Sequence, residues 1–155
     1  MTIGAVFAEQ FERMLSAISE AAQTFPDDQW RVAEARSLIP ARLAYHALES
    51  FDSMARETPE GFVRGARFGV TYRDATPEQL PDQAGIIAYA EELKERACAW
   101  AAAKSDADYL KEESVGFRQP TALARCAYNL RHTQHHIGQL VSELRRRGIT
   151  PPRWR

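Results

Sequence analysis

Apolar residues recur every three or four positions through four long stretches of the chain, and a period near 3.6 commits those stretches to amphipathic helices. From residue 3 to 24 the stripe is Ile3, Phe7, Phe11, Met14, Ile18 and Ala21, widened by Val6, Leu15 and Ala22. From 38 to 57 it is Ile39, Leu43, Ala47, Phe51 and Met54. From 83 to 104 it is Ile86, Ala90, Leu93, Ala97, Trp100 and Ala101. From 121 to 147 the seam is Leu123, Leu130, Ile137, Val141 and Leu144, continued by Ala127 and interrupted by Gln134.

The ends of these stretches carry matching signals. Pro26-Asp27-Asp28 stops the first. Ser37 is the expected N-cap of the second, and Pro40 is tolerated in a first turn, where its missing N–H is not needed. Pro81-Asp82 opens the third and Pro120-Thr121 the fourth. Gly148 closes the fourth after Arg145, Arg146 and Arg147, cations that suit a helix C-terminus. Four helices of roughly 20 residues, each about 30 Å long, predict an all-α four-helix bundle in one domain over residues 1–155. The connection over 58–82 is long for a loop; it holds a short β-prone run, Phe68 to Tyr72, and is expected to be functional or partly structured.

Composition narrows the function. With 45% hydrophobic and 26% charged residues the chain can bury a core, and a net charge of −1 gives no global pull toward nucleic acid. No run of 18 apolar residues suggests a membrane span, and the N-terminus lacks the layout of a signal peptide. Cys98 and Cys126 do not make a disulfide framework and are expected to be buried, reduced thiols of a cytoplasmic protein. The last eleven residues carry five arginines, expected as a helix end and solvated tail, or as a dimer contact through Trp154.

The chemistry lies in the histidines. His132, His135 and His136 fall within five residues, and His46 sits midway along the second helix. Positions i and i+4 share a helix face, so His132 and His136 can aim at one ion, with His46 supplying a third nitrogen from a facing helix. Three nitrogens and an open position is a catalytic zinc arrangement. His132 with His135, at i+3, is the geometric competitor. On a helical wheel all three proposed ligands stand on the shoulders of their apolar stripes, His136 about 100° from the seam, which suggests a site at a cleft edge.

The stretch Arg131-His132-Thr133-Gln134-His135-His136-Ile137-Gly138-Gln139-Leu140 resembles the last-helix signature of the DinB/YfiT-like superfamily, and Ser37-Leu38-Ile39 through Ala44-Tyr45-His46-Ala47-Leu48 resembles the segment bearing that family's third histidine. The resemblance spans nearly the whole chain. It implies a bundle with a divalent metal on His46, His132 and His136, zinc first and nickel or iron as alternatives. One departure is Ile137, where many members have arginine, an anion contact near the metal. The resemblance further implies a metal-dependent transferase acting with a low-molecular-weight thiol on a small-molecule substrate; a metal-dependent hydrolase or a non-catalytic metal- or ligand-binding stress-response bundle are the alternatives. A homodimer is expected, and the near-neutral charge and the lack of an apolar span predict no nucleic-acid or membrane partner. Glu49, one turn after His46, is a candidate to orient that ring or a bound water. Asn129, three before His132, is a second candidate, and Gln139, three after His136, a third residue with a possible role. Arg64, Arg67 and Arg73 in the long loop, among Phe62, Phe68 and Tyr72, could bind an anionic or thiol-bearing substrate.

Overall fold

The computed structural model describes residues 1–32, 38–112 and 120–153. Among the described residues four long helices form the bundle expected, with two short ones between them. Helix α1 (Ile3–Thr24) starts where the Thr2 hydroxyl accepts from the Ala5 amide and ends at an extended Phe25, as the following proline requires. The single turn α2 (Asp27–Trp30) buries Trp30, whose indole N–H donates to the Pro81 carbonyl at 2.9 Å. Helix α3 (Pro40–Met54) begins on its proline after Ile39; the expected Ser37 cap lies outside the described residues. It stops three residues before the predicted end, where the Arg125 guanidinium donates to the Met54 and Arg56 carbonyls.

Helix α4 (Gln83–Ala103) is capped by the Asp82 carboxylate on the Gly85 amide. The short α5 (Asp106–Leu110), which the apolar period does not signal, is set by a capping box between Ser105 and Asp108. Helix α6 (Ala122–Arg146) is capped by Thr121 and closed by bonds from Gly148 N to Arg145 O and from Ile149 N to Leu144 O. Arg147 is no solvated tail residue, because its guanidinium donates to the Gln29 and Val32 carbonyls; Trp154 lies outside the described residues.

Helix α1 packs most extensively on α4, and α3 on α6. Phe11 and Phe51 meet edge to face at 4.9 Å, within a core that also holds Met14, Ile18, Leu48, Leu93 and Leu140. Val6, expected on the stripe of α1, is exposed instead. Cys126 is buried; Cys98 is only half-buried, its thiol donating to the Ala8 carbonyl. Among the described residues no helix is long and apolar enough to cross a membrane.

The connection over 58–82 forms turns and one 3₁₀ turn (Pro77–Gln79), with no strand at Phe68 to Tyr72. It lies along α3 as a strap. Arg42 donates to the Tyr72 and Ala75 carbonyls, Tyr45 to the Val70 carbonyl, and the Gly65 amide to Glu49. This covering explains why α3 is buried almost all the way round, polar residues included.

Candidate metal centre

Helix α6 presents a polar line to the bundle interior. Asn129, Thr133 and His136 are buried beside Cys126, Ile137 and Leu140, whereas Leu130 and Val141 are only partly buried and Ala127 is exposed. The buried face is therefore rotated from the seam that hydropathy alone selects, and His136 lies on it rather than 100° away. A wheel weighted by apolar residues misplaces a face that buries polar groups.

That rotation brings His132 and His136 against His46 of α3. The ring centroids are 4.6 Å apart for His46 and His136, 5.0 Å for His46 and His132, and 4.5 Å for the pair on α6. Nε2 of His132 and Nε2 of His136 are 3.2 Å apart. One nitrogen from each of the three rings lies within 4.8 Å of the others. A tetrahedral ion with bonds of 2.0–2.1 Å separates two of its ligands by about 3.3–3.4 Å, so the α6 pair already stands at ligand spacing. His135 is exposed, its ring 5.1 Å from that of His136, and it is not among the three histidines whose ligand atoms converge.

The environment keeps these rings neutral. Burial, reinforced by the neighbouring histidines and by Arg64, lowers the pKa of His46 to about 3 and that of His132 to about 4; His136 is lowered by burial as well. Neutral imidazole is the ligating form. Two side chains hold the Nδ1 edges of these rings. Gln139 Oε1 lies 2.7 Å from His136 Nδ1, and Ser50 Oγ lies 3.3 Å from His46 Nδ1. The Gln139 oxygen can only accept, so it holds a proton on His136 Nδ1 and leaves Nε2 as the donor, whereas the Ser50 hydroxyl can accept or donate at His46. Nδ1 of His132 is buried without a partner among the described residues.

The sequence pattern of the DinB superfamily matches residues 10–140. The chain belongs to the DinB superfamily. No curated protein matches it.

Within this DinB bundle the other site candidates fall unevenly. Glu49 is buried, but its carboxylate accepts from the Gly65 amide, from Tyr45 at 3.4 Å and from Arg64 at 3.5 Å, so it fastens the strap rather than the His46 ring. Burial, with Glu49 beside it, pushes the Tyr45 phenol above its ordinary pKa. Asn129 donates to the Phe51 carbonyl, joining α6 to α3. Arg67 is held by Glu92 and the Tyr89 ring on α4. Ile137, at the position where the family resemblance expects arginine, is buried in the core.

Two tyrosines complete the site. Tyr72, brought by the strap, packs on His46 with ring centroids 4.3 Å apart, and Tyr128 stacks on His132 at 5.4 Å. Tyr128 was findable from sequence, since it stands four residues before His132 on one helix. Tyr72 stood in the sequence only as a neighbour of the loop arginines, because its place against His46 is set by the folded strap.

Proposed function

We propose that the protein holds a divalent transition-metal ion, zinc first and nickel or iron as alternatives, on Nε2 of His46, His132 and His136. The 3.2 Å spacing of the two α6 nitrogens, with the third within 4.8 Å, carries this reading. Three neutral imidazoles suit these metals and leave a position for a ligand. We propose further that the site serves a transferase using a low-molecular-weight thiol. Bound there, the ion would act as a Lewis acid that favours the ionised form of a thiol or of water. Gln139 and Ser50 keep the rings aimed, and Tyr72 and Tyr128 wall the approach and hold water off His46 and His132. In this reading the protein works in the cytoplasm, where its two free cysteines stay reduced, and as a homodimer.

Metal analysis of the purified protein tests the first step: about one equivalent per chain is expected, falling to background in His136→Ala. Unchanged metal content in that variant refutes the ligand set. A panel of small thiols with electrophiles tests the second, and no turnover with any pair by metal-loaded protein leaves a binding bundle instead of a transferase.

A further inference from the structure

The three candidate ligands are not held alike. His136 meets the Gln139 oxygen at Nδ1 and His46 meets the Ser50 hydroxyl at Nδ1, at 2.7 Å and 3.3 Å. Nδ1 of His132 is buried and has no hydrogen-bond partner among the described residues. A bond at that edge ordinarily fixes the orientation of a ligating imidazole, and the torsion that turns a histidine ring about its Cβ–Cγ bond is otherwise broad. Yet Nε2 of His132 stands at ligand spacing, 3.2 Å from Nε2 of His136. The face of the His132 ring is met by Tyr128, one helical turn before it on α6. The two planes are 17° from parallel with centroids 5.4 Å apart, whereas His46 and His136 meet His132 edge-on, at 80° and 70°. The Arg131 guanidinium lies over the Tyr128 ring, 5.7 Å from its centre, a cation–π contact on the ring that carries the stack.

We propose that Tyr128 is the positioning residue of His132, its ring face doing for this ligand what a hydrogen bond at Nδ1 does for the other two. This rests on the reading of the three histidines as a metal centre and assigns that centre a residue beyond its ligands. Offset stacking favours parallel planes, and turning the imidazole out of plane gives up the overlap. Holding the plane holds Nε2 where it converges with the nitrogens of His46 and His136. The stack uses the ring and not the phenol oxygen, so the role belongs to any flat side chain at position 128. Spacing on the helix supports it: residues four apart share a face, and Tyr128 reaches His132 without help from another element.

Three variants decide it. Tyr128→Phe keeps the flat ring, whereas Tyr128→Leu and Tyr128→Met keep bulk and helix propensity without one. Circular dichroism checks that each is folded. In competition against a chelator at fixed pH, Tyr128→Phe should bind zinc as wild type does, and the other two about three- to tenfold more weakly. Cobalt(II) reports the geometry of its ligands: its visible absorption bands should be unchanged in Tyr128→Phe and displaced or weakened in Tyr128→Leu and Tyr128→Met, a signature that a loss of stability alone does not move. In the metal-free protein, nuclear Overhauser contacts between the His132 and His136 rings should persist in wild type and Tyr128→Phe and fade in the other two. Wild-type zinc affinity and cobalt bands in folded Tyr128→Leu and Tyr128→Met overturn the proposal, as does a Tyr128→Phe protein that loses as much as they do. The two readings fail separately. A wild-type protein that takes no metal overturns the metal centre, and the ring contacts of the metal-free variants then decide the role of Tyr128: their survival in Tyr128→Leu and Tyr128→Met overturns it, and their loss there alone supports it. Stoichiometric metal held equally by all three variants overturns the role of Tyr128 alone.

Discussion

Gln139→Leu separates the aim of a ligand from its presence. The side-chain oxygen lies 2.7 Å from His136 Nδ1 and holds the proton there, so that Nε2 is bare. Leucine removes the acceptor and keeps the bulk. His136 then distributes its proton between two nitrogens, and its ring loses one of the contacts that orient it. A neutral hydrogen bond contributes about 0.5–1.5 kcal/mol net, and losing the partner of a metal-bound histidine lowers metal affinity about 10–100-fold. The upper part of that range, about 2.8 kcal/mol, exceeds the bond alone because the wrong tautomer must also be corrected on binding. Competition against a chelator with a known zinc affinity measures the change. Gln139 is only partly buried, so the metal-free variant should melt within about 0.5 kcal/mol of wild type. Zinc affinity equal to wild type in a folded Gln139→Leu protein refutes the argument that this residue sets the donor nitrogen.

Other substitutions test the scaffold. Glu49→Gln replaces a buried carboxylate that receives the Gly65 amide and Tyr45 hydroxyl, and it should loosen the strap by about 1–3 kcal/mol, read as faster amide exchange at Gly65 and tryptic cutting after Arg64 with helix content unchanged. Gly4→Ala puts a methyl carbon 2.4 Å from the Ala101 carbonyl oxygen; the clash between α1 and α4 outweighs the gain in helix propensity of up to about 1 kcal/mol, so the urea midpoint should fall. Acid acts through the histidines of the metal-free protein. Their folded pKa values lie below the ordinary 6.5, so the unfolded chain binds more protons as pH drops under 6.5, and stability should decline from there toward pH 3 while staying level above pH 7. A stability profile flat from pH 7 to 4 with all three rings intact would contradict the burial of these groups.

The limits of α1, α4 and α6 were legible to within a residue or so because four of the ends have a chemical signal, Pro26, Asp82, Thr121 and Gly148, and the apolar period gave the other two. The phase of α6 was not. Asn129, Thr133 and His136 are polar and buried, and a reading in which burial follows hydropathy turns the helix toward Leu130 instead. The histidine spacing survived that error, since positions 132 and 136 stay neighbours whichever way the helix turns.

The surroundings of the candidate centre depend on the less legible half. Residues 58–82 read as a long irregular loop, yet Gly65 carries the turn that delivers its amide to Glu49: its φ is +81°, and a Cβ there would meet the Thr71 amide nitrogen at 2.8 Å. Through that anchor and the bonds of Arg42 and Tyr45, the strap sets Tyr72 against His46. Every one of these links joins residues 16 to 33 apart in sequence, beyond the reach of helical periodicity. The spacing of two of the three candidate ligands is thus written within α6, while the strap that packs on the third ring is held by contacts that exist only in the folded chain. Changes in the strap should accordingly alter which molecules reach the centre without altering the three nitrogens that define it.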